Sequence, residues 1–338
     1  MEAALYDERG GYYNRADLKR WGREGDYRTS PERSPLFAAT FARLFNSLYE
    51  ELGSPVRFTI WEAGAGAGYF ARGVLETLAR SYPQTFSATR YVFDEMSAAS
   101  RAKAQDLLAP FDARVEYGSP SVRLQEPCII FANELLDAFP VHRVTINEGR
   151  LRELFVDVND AGEFVWMQGE TSTPLLSEYL ERVNVELAEG QTAEINLQAV
   201  DWLKRAAARL SRGYLILVDY GAEARDLYNM SLRPQGSLRA FGRHQLIEDV
   251  LVEPGRHDIT TTIDWTTVKG VCVEAGLEVV SFERQDKFLL GAGLLEELAG
   301  MTAEATSEAS AQSLSASARE LILPGGMSES FQVLLARK

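Results

Sequence analysis

Cysteine and histidine are nearly missing from this chain: 338 residues carry two cysteines, Cys128 and Cys272, and three histidines, His142, His244 and His257. Both thiols sit in apolar runs, so buried thiols are expected rather than a disulfide framework or a nucleophile. Histidines this scattered offer no metal-ligand spacing, and no metal is expected. No apolar run approaches the roughly 20 residues that cross a bilayer, so no membrane span is expected. Basic residues are also short, with 35 Lys and Arg against 49 Asp and Glu, a formal charge of −14. That balance disfavours non-specific binding to nucleic-acid phosphate, so no nucleic-acid partner is expected, and it attracts cationic protein segments instead. The start, M-E-A-A-L-Y-D-E, is acidic and predicts neither a secretory nor a transit signal. Together with the sparse cysteine, this gives the expectation of a cytoplasmic protein.

What the chain does have is a glycine-rich turn, F-T-I-W-E-A-G-A-G-A-G-Y-F, from Phe58 to Phe70. Four residues of β character lead to Glu62 and then to Gly64, Gly66 and Gly68, after which an apolar helical pattern begins. Glycines there permit positive φ and let a ligand lie on the backbone at a helix start. Gly66, Gly68 and Ala71 satisfy the relaxed dinucleotide pattern G-x-G-x-x-A, so a nicotinamide or flavin stays open. A ligand-free turn stays open too. A P-loop does not, because no Lys-Ser or Lys-Thr follows. Glu62 favours S-adenosylmethionine, whose ammonium wants a carboxylate. The acids after the second strand, Asp94 and Glu95, are placed to hold ribose hydroxyls. They lie nearer thirty than the usual roughly twenty residues beyond the glycines, which lowers the dehydrogenase reading.

Along the chain, a dense Gly and Tyr segment from Tyr6 to Arg28 predicts an ordered arm. T-S-P-E at Thr29 to Glu32 predicts a helix start with Ser30 as cap and Pro31 at the first position, and a second role in closing over a ligand. A buried strand from Cys128 feeds N-E-L-L-D-A-F-P-V-H, which puts Asn133, Glu134 and Asp137 at the carboxyl edge of an open sheet. From Val144 the pattern turns antiparallel. Helices are expected at Pro174 to Leu187 and at Thr192 to Leu210, and a buried strand at Gly213 to Asp219. Gly236 to Asp264 reads as a long polar functional loop. Residues 1–57 are expected to form an arm and first helix, and residues 58–338 one domain with a cap inserted at about 144–190.

Taken in order, L-Y-D-E-R-G-G-Y-Y, G-D-Y-R-T-S-P-E, E-A-G-A-G-A-G, N-E-L-L-D-A-F-P-V-H-R, L-V-D-Y-G, G-S-L-R-A-F-G-R-H, P-G-R-H-D-I-T and L-I-L-P-G-G-M resemble the MidA-like methyltransferases. That family includes the mitochondrial complex I assembly arginine methyltransferase. The resemblance covers nearly the whole chain. It implies an α/β fold: a class I methyltransferase Rossmann-like seven-stranded sheet with an inserted α+β cap. It also implies S-adenosyl-L-methionine as cofactor and methylation of a protein arginine. Gly64, Gly66 and Gly68 match the cofactor loop, and Glu95 the acid after the second strand. Ala65 and Ala67 stand where the family usually has proline and a basic or polar residue.

A protonated guanidinium is a poor nucleophile, and carboxylates that grip it bidentately localise its charge. Glu134, Asp137 and Asp219 are therefore the catalytic candidates. Glu62, Gly64, Gly66, Gly68, Asp94, Glu95 and Asn133 are the cofactor candidates, and His142, His244 and Asp258 the acceptor candidates. The expected partner is a protein substrate, with a respiratory-complex subunit as the candidate implied by the resemblance and a homodimer as the candidate assembly. A cofactor-binding assembly factor without turnover is the alternative.

Overall fold

The computed structural model describes residues 1–15, 17–18, 34–242, 245–247, 249–323 and 330–338. The described chain begins with α1 (Glu2–Tyr6), α2 (Pro35–Glu51), β1 (Phe58–Ala63), α3 (Tyr69–Ser81), α4 (Pro83–Ala88), β2 (Thr89–Asp94), α5 (Ala98–Leu108), β3 (Val115–Tyr117) and β4 (Cys128–Asn133). There follow β5 (His142–Asn147), β6 (Arg150–Val158), β7 (Phe164–Gly169), α6 (Leu175–Arg182), β8 (Thr192–Ile195), α7 (Leu197–Arg209) and β9 (Gly213–Ala222). Then come α8 (Ala224–Leu227), β10 (Arg239–Gly242), β11 (Gln245–Ile247), β12 (Asp258–Thr260), β13 (Ile263–Asp264) and α9 (Trp265–Glu274). The chain closes with β14 (Glu278–Arg284), α10 (Gln285–Gly291), α11 (Leu294–Ala303), α12 (Glu308–Ile322) and β15 (Phe331–Arg337). Among the described residues, no helix is long and apolar enough to cross a membrane.

Two compact units result. The first comprises Met1–Tyr27, Leu136–Arg205 and Tyr220–Glu274; the second comprises Arg28–Leu135, Ala206–Asp219 and Ala275–Lys338. The second holds the main sheet, in the order β14-β15-β9-β4-β1-β2-β3. Pairing is parallel from β9 through β3, and the β14–β15 pair is antiparallel. Every residue of β1 is buried, as expected for a central parallel strand read as one apolar run. Phe70 and Phe131 stack with ring centres 4.3 Å apart, and Phe37, Phe41 and Phe45 close on them.

The apolar stripe of α2 is where its spacing placed it, but the helix starts later than expected. Ser34 is extended, its hydroxyl accepts from the Leu36 N–H, and Pro35 takes the first helical position. The same Ser-Pro signal occurs at Ser30 and Pro31, which lie outside the described residues, as does the expected closing role of Thr29 to Glu32. Removing the cap with Ser34→Ala is expected to cost about 1 kcal/mol in denaturant unfolding, and no change in midpoint would contradict it.

The first unit is antiparallel. One sheet runs β7-β6-β5-β8 and a smaller one β11-β10-β12. Thr192 to Ile195, expected as helix, is the strand β8: it pairs with β5, and all four residues are buried. The helix proper starts after Asn196, whose side chain accepts from the Ala199 N–H at 2.8 Å. The expected polar loop from Gly236 to Asp264 carries the short strands β10 to β13. The aromatic arm packs where it is described, with Leu5 and Tyr12 in one core with Ala240 and Ile259.

Candidate functional site

β1 ends at Ala63, and the turn that follows is tied to the end of β2. The N–H groups of Gly64 and Ala65 donate to the Asp94 carbonyl at 2.8 and 3.2 Å. Glu95 accepts from the Gly66 N–H at 2.8 Å with one oxygen and from the Ser97 N–H at 2.7 Å with the other. Gly66 has φ +58°, and a Cβ built there meets nothing within 4 Å. The backbone face of Gly66 is therefore open. Gly68 has φ +86°, and a Cβ there would lie 3.0 Å from Ala104 Cβ, so backbone and packing both require glycine at this position.

Glu62 is buried beneath the turn and accepts from the Tyr91 hydroxyl at 2.7 Å. Burial pushes its carboxyl up to about 8; the Tyr91 hydrogen bond opposes the shift and the charge of Glu95 adds to it. A carboxyl that holds its proton longer when folded stabilises the fold fully below its ordinary value of 4.5, and that contribution is lost as pH rises toward about 8. Glu62→Gln is therefore expected to flatten the fall in melting temperature across that window, and parallel curves for the two proteins would contradict it. Asp94 accepts from Trp61 Nε1 at 3.1 Å, and burial raises its carboxyl as well.

The next strand end adjoins this turn. Ala63 pairs with Ala132, and a Cβ on Gly64 would lie 2.8 Å from Leu135 Cδ1, so the chain leaving β4 returns over the glycines. Among the described residues the buried Asn133 Oδ1 has no hydrogen-bond partner, while its Nδ2 donates to Glu134 Oε1 at 3.0 Å. Glu134 takes φ +50°, strained for a residue with a side chain, and its N–H donates to the Val218 carbonyl. Asn133 pairs with Val218, and Asp219 is the buried residue after it. The second unit thus gathers Glu62, Gly64, Gly66, Gly68, Asp94, Glu95, Asn133, Glu134 and Asp219 at the carboxyl ends of adjacent parallel strands, where open α/β sheets bind ligands.

Asp137 belongs to the first unit, where the Tyr220 hydroxyl donates to its Oδ2 at 2.6 Å. Burial pushes its carboxyl up to about 6, against the Tyr220 hydrogen bond and the charge of Arg239. Asp258 accepts from the Tyr13 hydroxyl at 2.7 Å, and His142 shares a 2.7 Å hydrogen bond with Glu153. His244 lies outside the described residues. Sequence reasoning missed Tyr91, Tyr220 and Arg239; the last two sit inside L-V-D-Y-G and G-S-L-R-A-F, stretches in which only Asp219 was singled out for chemistry.

The profile of a family described as "Putative S-adenosyl-L-methionine-dependent methyltransferase" matches residues 40–283. The chain belongs to this methyltransferase family. A crystal structure of a protein from Burkholderia thailandensis bound to S-adenosyl-homocysteine superposes on this methyltransferase fold with TM-score 0.84 at 28% identity, covering 100% of this chain and 86% of that one. The protein arginine methyltransferase NDUFAF7 homolog, mitochondrial, of Drosophila melanogaster is 28% identical over 308 residues, 82% of this chain and 66% of the relative. The human mitochondrial protein arginine methyltransferase NDUFAF7 is 24% identical over 298 residues, 80% of this chain and 63% of its own length. The methyltransferase chain thus spans about two thirds of the curated relatives it matches.

These names correct one expectation. The relatives are mitochondrial proteins, which overturns the cytoplasmic assignment. Few cysteines mark a reducing environment, and more than one compartment supplies that.

Proposed function

We propose that the chain transfers the methyl group of S-adenosyl-L-methionine to an arginine of a partner protein. The observation that carries this reading is the Gly66 turn: an open backbone face, its N–H held by Glu95, beside a buried Asn133 oxygen in need of a donor. These features fit the cofactor. Glu62 and Asn133 would meet the polar groups of its amino-acid end, and Asp94 and Glu95 its ribose hydroxyls. An ammonium brought near Glu62 favours the ionised carboxyl, so binding would release the proton that burial retains.

The bound cofactor supplies a methyl already made electrophilic by its sulfonium. The chain's own residues then have to place and orient the acceptor. Glu134, held by its strained backbone and by Asn133, would draw guanidinium charge toward two nitrogens and expose the third. Asp219, in the same unit, would support that charge, and Asp137, in the first unit, is a separate candidate for holding a cationic group of the acceptor. The names of the curated relatives support arginine as the acceptor, and the resemblance to the MidA-like family, which includes a complex I assembly methyltransferase, supports a respiratory-complex subunit as the protein that carries it. Purified chain incubated with methyl-labelled cofactor and cell lysate is expected to label a protein band, and Glu134→Gln to lose that label. Saturable cofactor binding without any transfer would sink the reading.

A further inference from the structure

One face of the small sheet in the first unit carries more hydrogen-bonding capacity than it uses. Arg239 on β10 and Thr260 on β12 are direct cross-strand partners, and Phe241 and Asp258 are the pair two residues along. Residues two apart on a strand share a face, so all four stand on one side of the sheet. Asp258 is engaged by the Tyr13 hydroxyl. Arg239 Nε and Thr260 Oγ1, in contrast, are shielded from water, and neither has a hydrogen-bond partner among the described residues. Thr260 is only 4% exposed. Buried polar groups of native proteins are nearly always paired, so two orphans on facing residues require an explanation.

The guanidinium is held between two rings, and its charge acts on the buried Asp137 carboxyl. The guanidinium carbon lies 4.8 Å from the centre of the Tyr220 ring and 5.8 Å from that of Phe241. Stacking of this kind fixes the plane of the donor fork. The Tyr220 hydroxyl is turned to Asp137 Oδ2, which leaves the Arg239 Nε–H to something else. A fixed cation beside an unused hydroxyl matches one ligand chemistry well, a carboxylate, whose oxygens accept from both.

We infer that Arg239 and Thr260 form a carboxylate-binding subsite that takes an acidic side chain of the acceptor protein. This rests on the proposal of a protein acceptor. In a chain of charge −14 acidic ligands are repelled at long range, so an acidic residue captured here would act as a selective determinant. The other source of the same chemistry is a carboxyl terminus.

The test is an NMR titration of ¹⁵N-labelled protein, following the Arg239 Nε–H signal. N-acetyl-L-glutamate amide presents a side-chain carboxylate, N-acetylglycine a terminal one, and N-acetyl-L-glutamine amide neither. Saturable shifts with the glutamate probe are expected, weaker ones with N-acetylglycine, and none with the glutamine probe. Arg239→Gln is expected to weaken the glutamate probe by about tenfold. Thr260→Val, which keeps the shape of the side chain, is expected to weaken it severalfold. Equal response to glutamate and glutamine probes, or unchanged binding in both variants, overturns the subsite, and a stronger response to N-acetylglycine overturns its assignment to a side chain. No cofactor enters the measurement, so failed methyl transfer with intact probe binding would count against the function alone.

Discussion

Calorimetry on Gly66→Val is expected to show no heat of S-adenosylhomocysteine binding under conditions in which the unsubstituted chain saturates. Two effects combine. The residue has φ +58°, where a β-branched side chain is strained by about 1–3 kcal/mol, and that part appears as a lower melting temperature. The larger part falls on the ligand. A Cβ there meets no protein atom within 4 Å, so valine clashes with nothing in the chain and acts on whatever binds over the turn. Gly66→Ala separates the two, because one methyl adds less strain but still stands on the open face. Its expected loss of affinity is roughly tenfold or more, well beyond what a modest fall in stability produces. Full affinity in Gly66→Val would place the cofactor elsewhere.

Glu134→Gln is expected to lower kcat by about 10²–10³-fold while S-adenosylhomocysteine affinity is kept. Glutamine preserves the shape of the side chain and can still accept from Asn133 Nδ2, so the strained turn survives and only the charge is lost. An unchanged kcat would remove Glu134 from the chemistry. Asp137 adds a pH signature. Its carboxyl is pushed up to about 6, and only the ionised form supports a cation, so activity should rise with pH through that value. Asp137→Asn keeps an oxygen for the Tyr220 hydroxyl and is expected to remove that limb of the profile.

Much of the site was legible because it is local. Glu62 to Gly68 is one strand–turn–helix, and its residue types follow from backbone geometry. Asn133 and Glu134 were found by the same logic, as polar residues at the end of a buried apolar run. The start of α2 was misplaced because two Ser-Pro signals stand four residues apart and local chemistry does not rank them. Thr192 to Ile195 was misread because its identity as a strand comes from β5, about fifty residues away in the chain. Non-local pairs stayed hidden for the same reason. Nothing near Glu62 in sequence announces Tyr91 as its partner, and the orphaned donors of Arg239 and Thr260 exist only once β10 and β12 are aligned. Compartment was the weakest inference, since it rested on sparse cysteine and on an acidic start, neither of which identifies where a protein works.

The most direct measurement incubates the purified chain with methyl-labelled S-adenosyl-L-methionine and an extract from cells that lack it, then hydrolyses the labelled protein and separates the amino acids. Label in methylarginine, absent with Glu134→Gln and with Gly66→Val, is the expected result. Label in another amino acid, or label that persists in Gly66→Val, would contradict it.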